Sequence, residues 1–152
     1  MSSAAAGRYA IVRATFYEDL AKRLTDGALK GFAEEGVEGS VVDVFDVPGA
    51  FELPLAAKGC AETGRYAGVA CLGAVIRGET DHYDWVCSAA AHGIELVQVQ
   101  TGVPCAFGVL TVENMDQALA RSGGDKRDQG YNAALVAVRM SRLLSELGTV
   151  RT

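Results

Sequence analysis

Four short, nearly continuous apolar runs, Tyr9 to Ala14, Ser40 to Val47, Tyr66 to Gly73 and Pro104 to Leu110, set the tightest limit on what this chain can fold into. They lack the strict polar and apolar alternation of a strand with one wet face, so they are predicted to be strands covered on both faces. Between them, apolar residues recur at helical spacing over Glu18 to Glu35, Phe51 to Thr63 and Tyr83 to Gln100, and after the last run over Met115 to Ala120 and Tyr131 to Leu147. Strand and helix therefore alternate, which favours right-handed βαβ units. The expected class is α/β: a flavodoxin-like parallel sheet with helices on both faces. A chain of 152 residues with 49% hydrophobic content is about one domain long and can fill a core without metal or disulfide support. A single domain over residues 1–152 is expected, with 1–8 as a short N-terminal arm.

Charge and cysteine usage narrow the function classes. The formal net charge is -5 and no Lys/Arg block stands out, so the field that steers proteins to nucleic acid or anionic membranes is missing. Small molecules are the expected partners. Cys60, Cys71, Cys87 and Cys105 have no close CxxC pairing and apolar or small neighbours, which argues against a zinc knuckle or a redox dithiol. They read as buried, reduced core residues, and no metal site is expected. Met1 to Gly7 lacks the basic start and apolar run of a signal peptide, and no apolar stretch reaches membrane-spanning length, which makes the cytoplasm the expected compartment.

In an open parallel sheet the ligand site gathers beyond the carboxyl ends of the strands. The segments expected there are Thr15-Phe16-Tyr17, Pro48-Gly49-Ala50-Phe51-Glu52, Val75 to His82 and Phe107 to Thr111. Phe or Tyr and carboxylates recur among them, as a pocket for a flat heterocycle requires. Gly78-Glu79-Thr80-Asp81-His82 closes a strand and opens a helix. Its backbone N–H groups there suit an anion, and an N-cap by Thr80 or Asp81 explains the same pattern. His82 is a candidate general acid/base, and a capping or surface histidine explains the same placement. His92, among Ala89, Ala90 and Ala91, reads as structural. Glu52 fits both hydrogen bonding to sugar hydroxyls and an ordinary strand-to-helix turn. Arg121, before Ser122-Gly123-Gly124, is either an anion contact or a solvated charge.

In this order and spacing, from Tyr9 to Leu147, the segments resemble the lumazine synthase family. The most specific parts are Val47-Pro48-Gly49-Ala50-Phe51-Glu52-Leu53-Pro54, Leu72-Gly73-Ala74-Val75-Ile76-Arg77-Gly78 with Thr80 and His82, and Thr101-Gly102-Val103-Pro104 leading to Phe107-Gly108-Val109-Leu110-Thr111. The resemblance implies condensation of 5-amino-6-ribitylaminouracil with 3,4-dihydroxy-2-butanone 4-phosphate to 6,7-dimethyl-8-ribityllumazine, a step of riboflavin biosynthesis, with no cofactor. It assigns Phe16 to stacking on the pyrimidine and Gly49, Ala50, Phe51 and Glu52 to the ribityl chain. Ala74, Val75 and Ile76 line the substrate, and Gly78, Glu79, Thr80 and Arg121 bind phosphate. His82 moves protons. Phe107, Arg121 and Gln129 come from a neighbouring subunit, which implies a homo-oligomer built on pentamers with shared sites.

Three positions depart from the family pattern. Tyr17 stands where many members have Asn, Asp81 precedes the histidine, and Gln129 occupies the place of a Lys that contacts the pyrimidine; Lys126 or Arg127 is a candidate to supply the missing charge. Two alternatives stay open at this point: a non-catalytic lumazine or flavin binder of the same fold, and an archaeal-type riboflavin synthase, against which Thr80 and Arg121 speak. For assembly the cues conflict. The turn from Gly123 to Gly130 has the compact length of shell-forming members, whereas the short arm before Tyr9 favours small rings, a pentamer or paired pentamers, which is the expectation.

Overall fold

The computed structural model describes residues 7–123 and 127–148. Lys126, most of the expected arm and part of the Gly123–Gly130 turn lie outside the described residues. The elements in chain order are β1 (Tyr9–Ala14), α1 (Glu18–Glu34), β2 (Val42–Val47), α2 (Leu53–Glu62), β3 (Gly68–Ile76), α3 (His82–Thr101), β4 (Cys105–Val112), α4 (Met115–Ala120) and α5 (Gln129–Leu147). One-turn 3-10 helices precede β2 at Gly39–Val41 and α2 at Ala50–Glu52.

All strand pairs are parallel, in the order β2-β1-β3-β4. The step from β1 to β2 runs one way across the sheet and the next two run the other way. With one-handed crossovers, α1 must then lie on one face and α2 and α3 on the opposite face. The core divides accordingly. Ile11, Leu72 and Leu110 pack with Leu24 and Phe32 of α1 and Val138 of α5. Val12, Cys71 and Val109 pack with Leu53 and Ala57 of α2 and Ile94 of α3. The result is the expected single α/β domain of flavodoxin-like form. β1 and β3 are the inner strands, and all nine residues of β3 but Ile76 are buried, as an unbroken apolar run demands.

The edge strands correct the expectation of two covered faces. β2 starts at Val42, after the 3-10 turn, and exposes Val44 and Phe45. Its Asp43 and Asp46 instead face arginines of the neighbouring strand region: Arg8 Nη2 to Asp43 Oδ1 at 2.8 Å and Arg13 Nε to Asp46 Oδ1 at 2.6 Å. Charges on an edge also oppose strand addition by another chain. β4 exposes Phe107 and Thr111 on the face shared with Cys105 and Val109. β3 and β4 both run past their expected ends, because Ala74 to Ile76 pair with Leu110 to Val112. Val75, Ile76 and the whole Phe107–Thr111 segment, expected beyond strand ends, therefore lie within strands.

Cys60, Cys71 and Cys105 are buried, but Cys87 is only half-buried. In the first turns of α3, Tyr83, Val86 and Cys87 pack only partly against the core, and the buried residues of that helix begin at Ala90. Burial pushes all four thiols up, Cys105 to about 12, so none offers a thiolate near neutrality.

Helices α1 and α5 approach closely because glycine stands at the contact. A Cβ at Gly130 would lie 2.0 Å from the Leu24 carbonyl oxygen, and backbone cannot step aside as a side chain can. Gly130→Ala is therefore expected to destabilise the fold by about 3 kcal/mol, the upper part of the overpacking range. The urea unfolding midpoint measures it, and an unchanged midpoint would show that the helices separate at little cost.

Candidate functional site

The chain leaves β1 toward one face of the sheet and β3 toward the other, which opens a crevice beyond the carboxyl ends of these two strands. Three connections border it. After β1, Thr15 is tied to β2 by its N–H and its hydroxyl, both donating to the Val47 carbonyl (2.9 and 3.3 Å). The next residue, Phe16, is 75% exposed, and Tyr17 meets it edge-on with ring centroids 4.9 Å apart. Tyr17 is partly buried against the α1 face of the core, so an anchored ring braces an exposed one. An exposed phenyl face of this kind is able to stack on another flat group.

After β2, Glu52 closes its own turn. Its Oε1 accepts from the Gly49 N–H at 3.0 Å, and its N–H donates to the Gly49 carbonyl at 3.1 Å. One hydrogen bond uses a fraction of a carboxylate's acceptor sites, so turn-forming and sugar-binding roles are compatible. Ala50 is buried, while Phe51 is exposed beside it.

At the end of β3, Ala74 and Val75 are buried and Ile76 is half-buried, and after it Arg77 to His82 are exposed. Asp81 is the N-cap residue of α3 but makes no side-chain cap; the Thr80 hydroxyl accepts the His82 N–H at 3.3 Å instead. His82 is thus the first residue of a twenty-residue helix, at the positive end of its dipole. Glu79 and Asp81 flank it. Arg77, the nearest cation in sequence, is committed elsewhere: its Nε meets Glu113 Oε1 at 3.0 Å, its Nη2 lies 3.7 Å from Asp84, and the guanidinium sits 4.3 Å from the centre of the Tyr83 ring. The hydrogen bond to Glu113 raises its proton affinity further. This cluster fastens the first turn of α3 to the ends of β3 and β4. Nothing local in the sequence signals it, since Glu113 is 36 residues from Arg77.

Arg121 and Gln129 lie elsewhere. With Val109, Leu110, Thr111, Val112 and Gln117 they line a cavity of about 290 Å³ at the carboxyl end of β4. The Gln129 N–H donates to the Arg121 carbonyl at 2.9 Å, and Arg121 Nη1 donates to the Gln117 carbonyl at 3.2 Å. Neither Phe16, Glu52, Thr80 nor His82 lines this cavity. Phe107 is the third residue of β4, mid-strand rather than at its end, and is exposed because β4 is an edge. One chain therefore presents the candidate residues as two groups, one at the β1–β3 crevice and one along β4. Arg127 and His92 are exposed.

Among the described residues, no group of three or more His, Cys, Asp or Glu side chains is arranged to hold a metal ion. No helix among them is long and apolar enough to cross a membrane. Compared with known protein families, residues 6–145 match the family model of 6,7-dimethyl-8-ribityllumazine synthase.

Proposed function

Because the chain belongs to the 6,7-dimethyl-8-ribityllumazine synthase family, we propose that it condenses 5-amino-6-ribitylaminouracil with 3,4-dihydroxy-2-butanone 4-phosphate, releasing 6,7-dimethyl-8-ribityllumazine, phosphate and water. The observation that carries this reading beyond membership is the crevice itself: an exposed, braced Phe16, the Glu52 turn and His82 on adjoining strand ends. Phe16 stacks on the pyrimidine. Gly49 to Phe51 and the remaining acceptor sites of Glu52 hold the ribityl chain, with Ala74, Val75 and Ile76 as the floor. The phosphate sits at the start of α3 over Gly78, Glu79 and Thr80, with Arg121 supplying the positive charge that Glu79 and Asp81 make necessary.

The reaction runs through imine formation, loss of phosphate, ring closure and dehydration. It needs no cofactor. Imine formation, ring closure and dehydration move protons between nitrogen and oxygen, and loss of phosphate takes a proton from the carbon beside the imine, the work of a positioned general acid/base, here His82. Holding the two molecules together supplies the larger part of the acceleration. The site is completed in a cytoplasmic homo-oligomer: Phe107, Arg121 and Gln129 of one subunit close the crevice of the next. Gln129 donates a hydrogen bond but carries no charge, so pyrimidine binding is weaker than a lysine there would give.

The test mixes both substrates with the pure protein and follows the lumazine chromophore and released phosphate. Lumazine bound without turnover would make the protein a binder, and riboflavin formed from lumazine alone would make it a riboflavin synthase; either result overturns the proposal. Within the proposed reaction, Arg121→Ala is expected to raise the KM for the butanone phosphate about tenfold or more and to leave the pyrimidine KM nearly unchanged. Steady-state kinetics with each substrate varied in turn decides it. Equal effects on both would remove Arg121 from the phosphate site.

A further inference from the structure

The segment that carries Arg121 and Gln129 is weak on its own. Helix α4 has six residues, too few to be stable alone, and its last carbonyls need donors from outside. Arg23, on α1, reaches one of them. Its Nη2 donates to the Leu119 carbonyl at 3.0 Å and its Nε to the Ser122 hydroxyl at 3.0 Å. Ser122 is fully buried, and its own hydroxyl turns back to the Leu119 carbonyl at 3.4 Å. Arg121 lies between the two anchored residues. A cation bonded to one of the final carbonyls of a helix also opposes the negative end of its dipole.

The same helix fixes the other end of the segment one turn later. Gly27 is four residues beyond Arg23 and thus on the same face of α1. A Cβ there would lie 2.4 Å from the Asp128 carboxylate oxygens, so the missing side chain is what admits Asp128. Asp128 is buried, and its Oδ1 caps α5 by accepting the Tyr131 N–H at 3.2 Å. Gln129, which follows Asp128, opens α5 and donates its N–H to the Arg121 carbonyl. Helix α1 thus grips both the exit from α4 and the entry to α5.

We infer that Arg23 is a positioning residue: from α1 it holds the α4 terminus and so aims the Arg121 guanidinium at the substrate phosphate. The inference rests on the function proposed above, in which Arg121 contacts that phosphate. Arg23 itself touches no substrate. Since Phe16 stands two residues before α1, the helix that follows the stacking ring of one site sets the anion contact supplied to the neighbouring site.

The experiment compares wild type, Arg23→Ala, Arg23→Lys and Arg121→Ala as full-length assembled protein. Arg23→Ala is expected to raise the KM for the butanone phosphate about tenfold, with kcat and the pyrimidine KM within about threefold of wild type. Arg23→Lys keeps one charged donor and should fall between. Hydrogen exchange supplies a readout independent of catalysis: the amides of Arg121 and Ser122 should exchange about tenfold faster in Arg23→Ala while amides of the sheet core are unaffected. Unchanged exchange there overturns the inference whatever the kinetics. So does a loss spread evenly over both KM values and kcat. If Arg121→Ala raises the butanone phosphate KM and Arg23→Ala does not, the positioning role alone fails. If Arg121→Ala leaves that KM untouched, the assigned role of Arg121 fails and the inference falls with it.

Discussion

Replacing His82 by alanine is expected to slow turnover by about 10²-fold or more, the range for removing a positioned acid/base group. The motive is placement: His82 is the first residue of α3, exposed at the crevice where the connections from β1 and β3 diverge. Stability should hardly change, because the side chain is exposed and only the backbone N–H takes part in the Thr80 turn. Residual activity well above the uncatalysed reaction is also expected, since both substrates are still held together. Single-turnover measurement at saturating substrates separates chemistry from binding. A variant with near-wild-type kcat would take the proton-transfer role away from His82 and leave it as a residue of the turn.

The second large effect concerns assembly. The β1–β3 crevice and the β4 cavity of one chain hold complementary halves of the proposed pocket, so two variants, each defective in a different half, should repair one another. His82→Ala and Arg121→Ala, assayed separately at low butanone phosphate, should both be poor enzymes. Co-expressed, they assemble sites in which one chain gives His82 and its neighbour gives Arg121. Random mixing in a closed ring makes about one quarter of the sites intact in both halves, and the rate should approach that fraction of wild type. A mixture no better than the average of its parents would place the whole site within one chain. An isolated chain should be inactive, and light scattering tests that together with size. Five chains of 15.9 kDa give about 80 kDa, ten about 160 kDa, and a sixty-subunit shell close to a thousand. An active species at the mass of one chain refutes the shared site, and a shell-sized peak refutes the proposed small rings.

Much of this was legible before any coordinates. The nearly continuous apolar runs of β1 and β3 announced strands buried on both faces, and the helical spacing between them announced crossovers, because burial on two faces leaves little room for polar alternation. Helix α4 was placed at its observed limits, Met115–Ala120. The edges were less legible. Val44 and Phe45 look as apolar as core residues, and only their position outside β1 leaves them in water. Likewise Phe107 looked like a strand-end residue because the sequence cannot show that β3 carries β4 with it as far as Val112.

The candidate site divides in the same way. Phe16, Glu52, Thr80 and His82 could be named from local pattern, since each follows a strand and sits in a turn whose chemistry is written within a few residues. The longer motifs around them carried the resemblance to the family and the substrate class the chain is proposed to serve. Arg77 was readable as a cation near the anion, but its engagement with Glu113 and Tyr83 was not. The grip of Arg23 on Leu119 and Ser122 joins residues almost a hundred positions apart and has no trace in local sequence. Sequence determined the elements and the chemistry available at their ends, because periodicity and turn residues act over a few positions. The tertiary structure decided which strands are edges, which cations are already spent and how one chain divides its site residues, because those depend on contacts between distant segments that only packing creates.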